Sequence, residues 1–202
     1  SHREYSRILK GEAVKREQQP ADSTFFVGDI QGCAGALERL LKAARFNPDR
    51  HHLLPVGDTV NRGAQNVRTL KLLRAFGAEP ILGNHVMALL SALEADKTPK
   101  WLSKQTISQD LLKHRHCDRY LDWIGSWPVW VWGHGWLAVH AGLHPQLALE
   151  ETDPIYLMTV RLCDEAGRKP PGWDAGSTDY PKGYKPWHHY YRGNELVIYG
   201  HW

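Results

Sequence analysis

The feature that most constrains this chain is a recurring strand end. A short apolar run closes on a glycine, and beside that glycine stands an oxygen or imidazole side chain. Ser23-Thr-Phe-Phe-Val27 runs into Gly28-Asp29-Ile30-Gln31-Gly32, and His51-His-Leu-Leu-Pro-Val56 runs into Gly57-Asp58, with Asn61-Arg62-Gly63 close behind. Ala78-Glu-Pro-Ile-Leu82 then leads to Gly83-Asn84-His85, and two later runs end in His140-Ala141-Gly142 and Gly200-His201. Asp29 and Asp58 are 29 residues apart, and Asp58 and Asn84 are 26 apart. The intervals have helical apolar spacing: Leu37, Leu40, Leu41 and Ala44 in the first, Val67, Leu70, Leu73 and Arg74 in the second. A strand and a helix repeating about every 30 residues predict parallel pairing with right-handed crossovers.

The remaining segments extend that plan. Residues 3–19 read as a polar, weakly amphipathic helix ending before Pro20, and 86–95 continue the third unit as a helix. Residues 101–127 read as a Trp-rich helical cap or insert between sheet layers. Val129–Gly142 reads as a hairpin around Gly133-His-Gly135, 153–163 as helix or strand, 166–186 as loop and 195–202 as a closing strand. The expected class is α/β with added antiparallel strands. The expected division is an N-terminal helical extension over 1–24 and one domain over 25–202.

Composition removes other classes. With 202 residues, 42% of them hydrophobic, and 18 Gly and 12 Pro without a repeat, the chain is neither collagen-like nor coiled coil nor wholly disordered. No apolar run approaches the roughly 20 residues of a membrane span, and the N-terminal stretch lacks the apolar core of a signal peptide. Cys33, Cys117 and Cys163 are odd in number and without metal-like spacing, so reduced thiols and a cytoplasmic setting are expected. A net charge of +3 suits an anionic ligand but is too small to argue for a nucleic-acid surface.

In open α/β sheets ligands gather at the carboxyl ends of strands. Any one Asp there could be a turn former, and His140 alone could be a core histidine. Five such ends in chain order are a different matter. Two carboxylates, an amide and two or three imidazoles form a mixed oxygen and nitrogen set, which suits Mn, Fe, Zn or Co. That set exceeds what one ion needs. The economical reading is two divalent ions about 3.5–4 Å apart, sharing one carboxylate and one hydroxide, with central Asp58 as the bridge.

These motifs resemble those of the calcineurin-like metallophosphoesterases of the phosphoprotein phosphatase group, from about Phe25 to the last residue. Gln31 after Asp29, Asn61 before Arg62, Lys185-Pro186-Trp187 and the final Gly200-His201-Trp202 look like the bacterial symmetrical diadenosine tetraphosphatase branch. The resemblance implies a β-sandwich flanked by helices, a βαβαβ core plus antiparallel strands. It implies Asp29 and Asp58 on a first metal with Gln31 nearby, and Asp58, Asn84, His140 and His201 on a second. Manganese is the expected ion, with cobalt, iron or zinc also compatible.

His85 would be the general acid, Arg62 would clamp the scissile phosphate, and Arg161 stands between a further phosphate clamp and a structural ion pair. Trp187, with Tyr184, Tyr190 and Tyr191, is a candidate platform for a substrate base. The implied activity is hydrolysis of diadenosine tetraphosphate to two ADP by a metal-bridging hydroxide. The rivals are a serine/threonine protein phosphatase or a nucleoside-tetraphosphate RNA decapping enzyme with the same site, and a nucleotide binder without turnover. Two positions depart from the family pattern: Val86 replaces the usual acidic residue after Gly-Asn-His, and Gln31 takes the place of an imidazole.

Overall fold

Phe25, Val27 and Leu53 alternate in sequence with Phe26, Leu54 and Val56, and the structure sends the two sets to opposite faces of one sheet. This computed structural model describes residues 23–95, 109–174 and 176–202. Strand β1 (Ser23–Val27) pairs in parallel with β2 (His51–Pro55), Phe25 opposite Leu53 and Phe26 opposite Leu54. Their crossover is α1 (Ala34–Ala43), whose Leu37 and Leu41 are buried. Leu40, expected on the same apolar stripe, is 51% exposed. After β2 comes α2 (Asn66–Ala75), which buries Leu70 and Leu73. Leu37, Leu41 and Leu73 cover the Phe25–Leu53 face of the sheet.

The third expected strand differs in a specific way. Glu79–Leu82 lies alongside β2, with the Glu79 and Ile81 amides donating to the Leu53 and Pro55 carbonyls at 3.0 Å, but it forms no regular ladder. The return bond is missing because residue 55, which faces Glu79 from β2, is a proline with no N–H to give. Immediately after it, α3 (Asn84–Ala95) starts at the Asn-His pair.

A second sheet has the order β3 (Trp130–Gly133), β4 (Trp136–Val139), β7 (Leu196–Ile198), antiparallel within the expected hairpin and parallel between β4 and β7. Val131, Ala138, Trp136 and Ile198 face Leu54, Val56, Ile81 and Phe26, so the two sheets share one core. Trp130, Leu137 and Val139 face away, into the largest cluster, with α3, α5 (Cys117–Gly125) and α6 (Pro154–Thr159). The result is helix, sheet, sheet, helix.

The described part of the Trp-rich segment, α4 (Gln109–Leu112) and α5, is helical, and of the two expected placements it takes that of a cap and not that of an insert between layers. Leu111, Tyr120, Ile124 and Trp127 pack in the outer cluster and not between the sheets. Segment 153–163 is both alternatives in turn: α6, then β5 (Leu162–Cys163), which pairs with β6 (Lys185–Pro186) from the expected loop. The helix expected over 3–19 lies outside the described residues, and so do 101–108. No helix among the described residues is long and apolar enough to cross a membrane.

Candidate metal centre

The strand-end loops bind each other before they bind anything else. Gln31 N–H donates to Asp58 O and Gly32 N–H to Thr59 O, both at 2.8 Å, so the loop after β1 stays beside the loop after β2. Asp29, Gln31, Asp58, Asn61 and His201 all have positive φ, at 42°, 52°, 45°, 112° and 71°. Left-handed backbone at a non-glycine residue costs on the order of 1 kcal/mol or more, and it persists only where surroundings enforce it. Here these residues sit almost entirely in the loops that carry the predicted site. Gly57 and Gly83 make the close approach possible. A Cβ on Gly57, at φ +84°, would enter the His140 ring, and one on Gly83 would enter the Asp58 carboxylate.

At the floor of the site Asp58 and His140 are fully buried. Asp58 Oδ1 accepts the His85 N–H at 2.9 Å, and its Oδ2 accepts from Gln31 Nε2 at 3.3 Å. His140 Nδ1 lies 2.8 Å from Val56 O. A carbonyl can only accept, so the proton is on Nδ1 and Nε2 is directed inward. That Nε2 lies 3.0 Å from Asn84 Oδ1 and 3.3 Å from Asp58 Oδ2.

An imidazole nitrogen facing two oxygens requires a positive charge between them, either a proton or a metal ion. The electrostatics agree. Burial favours neutral His140, but the hydrogen bond and charge of Asp58 raise its pKa above the ordinary imidazole value. Burial would also raise the Asp58 pKa, and His140 and His85 more than offset it, so it falls.

His201 completes the group. Ligand atoms of Asp58, His140 and His201 all lie within 4.8 Å of one another. Burial, then the charges of His140 and Arg161, push the His201 pKa down to about 3. It is therefore a neutral imidazole, the form a metal ion takes. Asp29 stands at the rim, where its Oδ1 accepts the His201 N–H at 3.3 Å. Gln31 Oε1 is buried without a hydrogen-bond partner among the described residues. An orphaned amide oxygen beside Asp58, a carboxylate with two imidazoles, and glycines that leave room for them all fit a divalent cation.

Arg62 and His85 form the neighbouring pair, 2.9 Å between a guanidinium nitrogen and Nε2. Arginine only donates, so Nε2 accepts and the ring is neutral. Burial and the Arg62 charge lower the His85 pKa, with Asp58 pulling the other way. Arg161 donates from Nε at 2.9 Å and from a second nitrogen at 2.6 Å to His201 O, which ties it to the last loop of the site.

Trp187 is the correction. It is 1% exposed and packs against Gly142 in the outer cluster, so it offers no face to a substrate. His114 and His116, one of the other histidine-rich spots in the sequence, are not part of this group, which is the one metal-ligating cluster found among the described residues.

Two supporting residues escape a reading of motifs. Asn66 Oδ1 accepts the Asn61 N–H, and its Nδ2 donates to Gly63 O and to Asp110 Oδ1, each at 2.8 Å. Asp110 in turn accepts the Val67 N–H at 2.9 Å. Together they pin the Asn61-Arg62-Gly63 turn. The available signal was a polar residue at a helix start, but its partner lies 44 residues away. Replacing buried Asn66 with alanine is expected to lower stability by about 1–3 kcal/mol, because the turn's polar groups lose their partners. Urea unfolding reads this as a lower midpoint at constant slope, and an unchanged midpoint contradicts it.

Comparison with known proteins follows the same lines. A symmetrical bis(5'-nucleosyl)-tetraphosphatase from Dechloromonas aromatica (strain RCB) is 39% identical over 126 residues, 61% of this chain and 45% of that protein. One of the same name from Pseudomonas putida (strain W619) is 29% identical over 231 residues, 89% of this chain and 79% of that protein. The chain spans about half the length of the first of these relatives. A crystal structure provisionally assigned as a diadenosine tetraphosphatase superposes with a TM-score of 0.71 at 29% identity, covering 94% of this chain and 79% of that one. The pattern of the calcineurin-like phosphoesterases, whose members imply divalent metal ions, matches residues 23–202 and so takes in every strand-end donor described above. This chain belongs to the calcineurin-like phosphoesterase family.

Proposed function

We propose that this chain is a dinuclear metal phosphohydrolase that splits dinucleoside tetraphosphates symmetrically, diadenosine tetraphosphate giving two ADP. The observation that carries the reading is the gathering of Asp58, His140 and His201 within 4.8 Å, beside a hydrogen-bonded Arg62–His85 pair. Asp29, Asp58 and Gln31 would hold one cation and Asp58, Asn84, His140 and His201 the other, manganese being our first choice for both. Bound there, such ions supply Lewis acidity and an activated water. Val56 O fixes the tautomer and orientation of His140, as the outer partner of a metal-ligating histidine does.

The protein's own groups then act on the ester. A phosphate is a better partner for the Arg62 guanidinium than an imidazole is, and its planar fork can take two phosphate oxygens. When Arg62 turns to the substrate, the Nε2 edge of His85 is released, takes up a proton from solvent and passes it to the departing oxygen. Arg161, anchored on His201 O, adds positive charge at the last loop of the site. We assign this chemistry to one domain over residues 25–202. The names of the relatives favour a dinucleotide over a phosphoprotein or a capped RNA.

Incubation of the protein with diadenosine tetraphosphate and manganese is expected to yield ADP as the sole nucleotide product. AMP plus ATP, or no turnover, contradicts the reading. Faster cleavage of a phosphopeptide or a capped RNA in the same assay transfers the site to those substrates.

A further inference from the structure

Beside His201 lies a cavity of about 240 Å³ whose wall is built from Thr159, Arg161, Leu162, Lys169, Pro170 and Trp173. Its composition is unlike a packing defect: two cationic side chains and an indole surround it, and a proposed metal ligand closes one end. Lys169 is positioned by its bond to Thr159 Oγ1 at 3.0 Å, and its ammonium sits 5.8 Å from the centre of the Tyr156 ring. Trp173 donates its indole N–H to Asp179 O at 3.1 Å, which fixes the edge of the ring, and the half-buried ring lines the cavity. Arg161 is held by His201 O. Phosphate oxygens want the cations, and a planar base wants the indole face.

We propose that this cavity is the seat of one nucleotide half of the substrate, with Trp173 as the stacking platform for the base and Lys169 as a contact for an outer phosphate. The assignment rests on the dinucleotide reading above and supplies what Trp187 cannot, because that ring is buried in the core. The cavity is small for a whole ligand, and that suits one end of an extended molecule. A second, open pocket of about 520 Å³, walled by Asp29, Tyr199 and Trp202, also has His201 in its lining. Two aromatic-walled pockets that share one proposed metal ligand match a substrate with two like ends and a scissile bond between them.

The test measures equilibrium binding of ADP and of inorganic phosphate to the manganese-loaded protein and to three variants. In the parent protein ADP should bind more tightly than phosphate. Trp173→Leu should weaken ADP roughly tenfold and leave phosphate unchanged. Trp173→Phe, which loses the bond to Asp179 but keeps an aromatic face, should retain most of the ADP preference. Lys169→Met should weaken ADP about threefold and flatten its dependence on salt.

Equal affinities for ADP and phosphate in the parent, unchanged ADP binding in Trp173→Leu and Lys169→Met, or equal losses for both ligands overturn the proposal. Equal losses of ADP binding in Trp173→Leu and Trp173→Phe assign Trp173 to loop structure and overturn it as well. If the ADP preference depends on Trp173 but diadenosine tetraphosphate is not cleaved to ADP, the pocket stands and the catalytic reading fails.

Discussion

Asp58→Asn is expected to reduce bound transition metal below one equivalent and to lower turnover about a thousandfold or more. The substitution keeps size and shape, and its amide oxygen can still accept the His85 N–H that Asp58 Oδ1 now receives. What it removes is the one negative charge that His140, Gln31 and both proposed cations share at the floor of the site. Losing an electrostatic element aimed at the reacting centre costs on the order of 10²–10³ in rate, and loss of the ions themselves costs more. Elemental analysis and a product assay on one preparation read both effects. Metal content and turnover within threefold of the parent would remove Asp58 from the bridging role.

Arg62→Ala is expected to act on rate alone. Arg62 is exposed, and the neighbouring turn is pinned by Asn66 and Asp110 through other atoms, so stability should change by less than about 0.5 kcal/mol. Metal content should stay as in the parent, because Arg62 touches His85 and no proposed ligand atom. Turnover should fall on the order of 10²–10³ as the clamp on the scissile phosphate is lost. Arg62→Lys should restore only part of it, since a single ammonium cannot reproduce the two-pronged contact. Full activity in Arg62→Ala, or loss of metal, contradicts the assignment. A complete rescue by lysine argues for a simple charge effect.

The contrast between Asp58 and Trp187 shows how far the sequence could be read. Asp29, Asp58, Asn84, His140 and His201 were legible because each stands at a strand end beside a glycine. The strand–helix period predicts that the ends of the first three strands meet, and the parallel pairing of β4 with β7 brings His140 and His201 to one edge. Their convergence is therefore a consequence of topology, and the structure gathers them as that topology requires.

Trp187 lay in the same kind of motif, but its exposure depends on what packs over it. Gly142 and the outer cluster, far away in sequence, decide that. The same limit explains Asn66 and Asp110, whose bond joins two helices of unrelated local pattern. Leu40 satisfies the helical spacing of α1 and still points to solvent, because a periodic stripe can be wider than the surface it covers. Pro55 was visible from the start, and the interrupted pairing of the third strand with β2 follows from its missing N–H. The Trp-rich helices were legible as a cap or an insert and no further, since apolar composition is the same on either side of a sheet, and packing in the outer cluster decides for the cap.

The central claim is most directly tested by anomalous diffraction at the manganese edge, from crystals grown or soaked with manganese. Two peaks are predicted, both within bonding distance of the Asp58 carboxylate. One should be shared with Asp29 and Gln31, the other with Asn84, His140 and His201. Crystals that show no anomalous density among these side chains, or density only at the protein surface, would contradict the account.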